Sequence, residues 1–144
     1  MQTTTLKIIT QPKLNRIKVL VIEDDEQTAE LVRIFLSMNG YRIQIQTSST
    51  DIAGLLEVSN PDLLIIDYLL PFMNGGELCA IVKKDMNWKH LPVIIYSAYP
   101  KVINSLGIYQ CNAFLAKPFE LDDLLNLVER SLFKQPSLSK KFAS

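Results

Sequence analysis

Histidine occurs once in the 144 residues, at His90, and cysteine twice, at Cys79 and Cys111. A single imidazole rules out a metal centre built on several histidines. The two cysteines are far apart and form no CxxC pair, so they read as buried free thiols of a cytoplasmic protein rather than as a zinc or redox motif. No charge of one sign prevails: 15 basic residues face 15 acidic ones. That balance argues against a broad basic footprint for direct nucleic-acid binding, though a small local patch stays open. No apolar stretch is long enough to span a membrane, which argues against insertion. Residues 1–10 hold one lysine and no extended apolar core, so they do not read as a secretory signal. Internal repeats and low-complexity blocks are also missing.

What is present is a globular composition, 48% hydrophobic and 21% charged, at a length that suits one domain with a core on two sides. Residues 1–16 read as a polar N-terminal arm, 17–134 as the folded domain, and 135–144 as a polar tail. Within the domain, strands alternate with helices. Apolar strand-like runs cover Ile17–Ile22, Leu63–Ile66, Val93–Tyr96 and Ala113–Ala116, and Tyr41–Ile45 alternates as an edge strand does. Helical patterns cover 27–38, about 50–58, 77–84, 100–110 and 121–133. Asn39-Gly40 and Asn60-Pro61 stop the first two, and Ser48 to Asp51 supplies N-caps for the second. Five β-α units in succession mean an α/β fold with a parallel sheet and right-handed crossovers.

The chemistry-bearing residues sit at the ends of these strands. Glu23 and Asp24 follow the first, Asp67 the third, Ser97 the fourth, and Lys117 the fifth. The carboxyl ends of parallel strands line one crevice, where ligands bind. Carboxylates gathered there repel and call for a hard cation, and Mg²⁺ fits oxygen ligands of this kind. An aspartate beside such an ion, with a lysine and a hydroxyl opposite, is equipped to accept a phosphoryl group. Asp25 and Glu26 read instead as the negative start of the next helix. Lys117 precedes Pro118, which turns the backbone out of helical geometry and permits a cis bond.

The segments Val19–Asp25, Asp62–Pro71 with Met73-Asn74-Gly75, Pro92–Ala98 and Phe114–Phe119 occur in an order and spacing that resembles the receiver domain of two-component response regulators. The resemblance runs from Ile17 to Phe133. It implies a flavodoxin-like, doubly wound sheet in the order 2-1-3-4-5. It implies that Asp67 takes a phosphoryl group from a phosphohistidine on a sensor histidine kinase or histidine phosphotransfer protein. Mg²⁺ would be held by Glu23, Asp24, Asp67 and the backbone carbonyl of Leu69, with Ser97 and Lys117 on the phosphoryl oxygens. Phe114 matches the aromatic switch that works with Ser97. The signal would leave through the face made by the fourth helix (100–110), the fifth strand and the fifth helix, which is also a possible homodimer face.

Some positions depart from the family pattern. Phe72 replaces a small residue, Cys111-Asn112 replaces a glycine-alanine pair, and the Ser97-to-Lys117 stretch is short. Leu69 and Tyr99 occupy positions that help align the hydrolytic water, so dephosphorylation is expected to be slow. The short tail encodes no output module, and the expectation is a stand-alone receiver or phosphorelay component. Two other readings compete. A Mg²⁺-dependent aspartyl phosphohydrolase would need an acid two residues after the nucleophile, where Leu69 stands. A phosphate-independent adaptor would have no use for the intact Asp67, Ser97 and Lys117 set.

Overall fold

The computed structural model describes residues 16–99, 101 and 110–133. Five parallel strands form one sheet: β1 (Lys18–Ile22), β2 (Arg42–Gln46), β3 (Leu63–Asp67), β4 (Val93–Ser97) and β5 (Ala113–Ala116). Their order is β2-β1-β3-β4-β5, so the chain winds one way from β1 to β2 and the other way from β3 onward. This is the flavodoxin-like topology, with its switch point between β1 and β3. Four helices are described: α1 (Glu26–Met38), α2 (Ile52–Ser59), α3 (Gly75–Lys84) and α4 (Leu121–Phe133). The helix expected over 100–110 lies outside the described residues except for Lys101 and Gln110, as do the arm up to residue 15 and the tail from 134.

Strand parity sorts the core into two layers. Leu20, Ile22, Leu64, Ile66, Val93 and Ile95 point to one face and meet α2 and α3 through Ile52, Leu56, Leu78 and Val82. Val19, Val21, Leu63, Ile65, Ile94 and Tyr96 point to the other and meet α1 and α4 through Val32, Leu36, Leu124 and Val128. Every residue of β3 and β4 is buried, as expected of central strands covered on both faces. Each fully buried aliphatic side chain here contributes roughly 1.5–3 kcal/mol relative to exposure. β2 and β5 are the edge strands, and Ile43 and Ile45 of β2 are only partly buried against α1.

The helix ends follow from local sequence. The Asp25 side chain accepts from the Thr28 N–H at 3.0 Å and caps α1. Gly40, at φ 97°, makes the exit turn. Asp51 caps α2 through the Gly54 N–H, and Asn60 closes it in the left-handed region at φ 49°. α3 begins two residues before the expected start. Asn74 caps it and forms a reciprocal pair with Glu77, each side chain taking the other's backbone N–H at 2.8 and 3.0 Å. Asn112, one of the departures from the family pattern, ties two strands together. Its side-chain oxygen accepts from the Val93 N–H at 2.7 Å and fixes the start of β4 beside β5.

Candidate phosphoacceptor and metal site

The same parity assembles the site. Side chains alternate between faces with period two. Val19 and Val21 place Glu23 on the α1/α4 side; Leu63 and Ile65 do so for Asp67, and Ile94 for Tyr96. Ladder hydrogen bonds carry the pattern past the strand ends, from the Glu23 N–H to Gln46 at 2.9 Å and from the Lys117 N–H to Ser97 at 2.8 Å. Four neighbouring strands therefore present Glu23, Asp67, Tyr96 and Lys117 in a row at the carboxyl edge of one face. Asp24 follows Glu23 in the β1–α1 loop and is exposed.

One oxygen each from Glu23, Asp24 and Asp67 lies within 4.8 Å of the others. Lys117 Nζ bridges two of them, at 3.0 Å from Glu23 Oε1 and 3.5 Å from Asp67 Oδ2. The second Glu23 oxygen accepts from the Asp25 N–H at 3.1 Å, and Asp67 Oδ1 accepts from the Leu69 N–H at 3.3 Å. Glu23 and Asp67 are both buried. Burial first, and then the Glu23 carboxylate alongside, pushes the Asp67 pKa up to about 7, against the downward pull of Lys117 and the Leu69 N–H. One lysine thus leaves the carboxylate group undercompensated, and the all-oxygen donor set suits a hard divalent cation. Asp25 is occupied elsewhere: Thr28, through its hydroxyl and its N–H, holds that carboxyl below its usual range.

Of the residues expected from sequence, the structure brings Glu23, Asp24, Asp67 and Lys117 together. Ser97 is buried on the opposite parity from Tyr96, and its Oγ accepts from the Tyr99 N–H at 3.0 Å. Phe114, partly buried, packs against the α2/α3-side core. The Lys117–Pro118 peptide is cis. Leu69 is half exposed, and Phe72 is largely exposed with φ 73°, so the β3–α3 loop does take an unusual backbone at that departure. Gly75 closes the loop against the strand: a Cβ there would lie 2.5 Å from the Asp67 carbonyl oxygen. Sequence reasoning missed Tyr96, whose ring lies 4.5 Å beneath Lys117 Nζ. Its signal was parity: it alternates in step with the residues that lead to Asp67.

The sequence pattern of the response regulator receiver domain matches residues 19–129. Among curated relatives, the DNA-binding dual master transcriptional regulator RpaA of Synechocystis sp. is 28% identical over 117 residues, covering 80% of this chain and 48% of that protein. The chain spans about half the length of the curated relatives it matches, from 47% to 60%. Among solved structures, the receiver domain of Francisella response regulator 1452 superposes with a TM-score of 0.73 at 29% identity, covering 81% of this chain and 96% of that one. The response regulator TrrA of Thermotoga maritima, solved in complex with Mg²⁺ and beryllofluoride, gives 0.73 at 25% identity, covering 81% and 99%. The strand order, the acidic crevice at the switch point and these matches agree, and the chain belongs to the response regulator receiver domain family of two-component signalling.

Proposed function

We propose that Asp67 is the phosphoacceptor of a receiver unit spanning about residues 17–134. The observation that carries this reading is the convergence of Glu23, Asp24 and Asp67 oxygens within 4.8 Å around one lysine at the carboxyl edge of the sheet. An Asp67 carboxylate oxygen attacks the phosphorus of a phosphohistidine on a sensor kinase or phosphotransfer protein. The new O–P bond forms as the P–N bond breaks, and the imidazole leaves with the electron pair. Phosphoryl transfer asks a protein mainly for positioning and charge stabilisation. The Leu69 N–H orients Asp67. Lys117, already at both acids, turns its ammonium to the incoming phosphoryl oxygens. Ser97 releases the Tyr99 N–H and donates to the same group, and Phe114 follows it inward on β5. Mg²⁺, held by Glu23, Asp24, Asp67 and the Leu69 carbonyl, would neutralise the acids and the arriving phosphoryl charge when bound.

The signal leaves as a shift between two arrangements of the surface around β5 and α4. The half-exposed apolar side chain of Leu69 offers no hydrogen bond to align an attacking water, which makes the acyl phosphate durable. The phosphohydrolase reading lacks its second acid at that position. The experiment is incubation with acetyl phosphate and Mg²⁺ followed by intact mass. The receiver gains one phosphoryl group and Asp67→Asn gains none. Continuous turnover of acetyl phosphate would favour the hydrolase instead, and no adduct in either protein would favour the adaptor.

A further inference from the structure

Tyr96 is among the largest fully buried side chains in the core. It lies in register with Asp67 on β3 and with Leu115 on β5, two residues before Lys117. A leucine would fill this place with no polar atom to satisfy. The tyrosine ring instead makes two contacts beyond packing. Phe119 stacks on it at 5.5 Å between centroids, with 26° between planes. Lys117 Nζ lies 4.5 Å from its centroid, and from there reaches Glu23 and Asp67. An ammonium over an aromatic ring is attracted to it, more strongly where water is excluded. The phenol hydroxyl is buried and makes no hydrogen bond of full geometry among the described residues, while the Glu23 carboxylate lies near enough to draw on it. Burial first, then the charge of Glu23 and the pull of its carboxylate on the hydroxyl, then Asp67 and Asp25, keep its proton firmly on. It is a neutral donor held beside carboxylates.

We propose that Tyr96 is a positioning residue of the acceptor site. Its ring seats the Lys117 ammonium between Glu23 and Asp67, and its hydroxyl holds the Glu23 carboxylate once Lys117 turns to the phosphoryl group. The inference rests on the reading of Asp67 as phosphoacceptor. Lys117 must leave Glu23 to meet a new anion, and the buried hydroxyl supplies the hydrogen bond that Glu23 then loses. The ring limits how far the lysine can stray in the meantime.

The two halves of the side chain separate experimentally. With Tyr96→Leu, labelling by acetyl phosphate at saturating Mg²⁺ slows about three- to thirtyfold, the range of one cation–π contact. In a Lys117→Met background the same change has no further effect. The conservative Tyr96→Phe restores the saturating rate but, with beryllofluoride added as the phosphoryl mimic that draws Lys117 away, weakens Mg²⁺ binding about tenfold, as loss of an outer partner to a metal ligand does. A wild-type rate in Tyr96→Leu, or an equal loss without Lys117, overturns the seat. Unchanged Mg²⁺ affinity in Tyr96→Phe with beryllofluoride present overturns the role of the hydroxyl. The unlabelled wild-type protein gives an independent reading by NMR, because the ring current shifts the Lys117 Hε resonances upfield. Ordinary lysine shifts there overturn the seat even if the leucine variant does not fold. Failure of the wild type to accept a phosphoryl group, by contrast, would remove the Asp67 reading and leave the NMR result standing.

Discussion

Burial and the Glu23 carboxylate raise the pKa of Asp67, and the sign of that shift is open to test. Its folded value, about 7, lies above the ordinary 3.8. Between those limits the folded protein binds more protons than the unfolded one, so stability falls as pH rises through the window. In EDTA, denaturation midpoints of the wild type should decline from about pH 4 to pH 7, whereas Asp67→Asn should show a flatter profile and gain on the order of 1–3 kcal/mol at pH 8. Saturating Mg²⁺ should flatten the wild-type profile. Parallel profiles for the two proteins would contradict the burial and crowding described for Asp67. Leu69 makes a second residue-scale prediction. The aspartyl phosphate should decay over roughly tens of minutes, because positioning supplies most of the catalysis of phosphoryl transfer and this side chain positions no water. Chasing label from purified phosphoprotein measures it, and decay within seconds would reject the assignment. The residues that carry charge at strand ends, Glu23, Asp24, Asp67 and Lys117, were legible in sequence through their combination, because each alone reads as well as a solvated loop acid, a turn aspartate or a surface lysine. Tyr96 was not, since an aromatic inside a strand looks like core; its parity with Asp67, and a buried hydroxyl that makes no hydrogen bond of full geometry among the described residues, distinguish it.

The elements act by bringing backbone close to the site, and α3 does this most tightly. Its first residue, Gly75, donates its N–H to Tyr68 O at 2.8 Å and leaves no room for a Cβ beside the Asp67 carbonyl. Gly75→Ala must push the helix start away from β3, at about 2 kcal/mol from overpacking. A urea midpoint should report that loss, and the acceptance of phosphoryl groups should fall with it. A neutral effect on both would mean that the loop and helix move freely relative to the strand. The start of α3 also shows where element boundaries hide. The apolar spacing of Leu78, Ile81 and Val82 marks the body of the helix, while its start is written in polar chemistry, Asn74 with Glu77 three residues on. The pair of glycines between them reads as loop when helix propensity is the guide. Asn112 teaches the same lesson, because a side chain that bonds a neighbouring strand carries no periodic signal.

At the scale of the molecule, the fold is a sheet between two helical layers whose opposite polarity of winding opens the crevice at β1 and β3. The α1/α4 layer lies directly under the row of site residues, so its packing sets the floor of the site. Leu124, fully buried there, should lose about 3 kcal/mol on substitution by alanine, read from chemical denaturation. A loss under about 1 kcal/mol would mean that α4 is loosely attached, since deleting a well-packed leucine costs more than that. The β-α alternation and the two-sided hydrophobicity of β3 and β4 made this architecture readable from sequence. The strand order was not contained in periodicity, and came from the likeness of four strand-end motifs to a known family. The central claim is that Asp67, and no other carboxylate of the crevice, carries the phosphoryl group. Borohydride reduction of acetyl phosphate-treated protein converts an aspartyl phosphate to homoserine, which peptide mass spectrometry locates. Homoserine at position 67 alone is the predicted result; homoserine at position 24, or at none, would contradict the account.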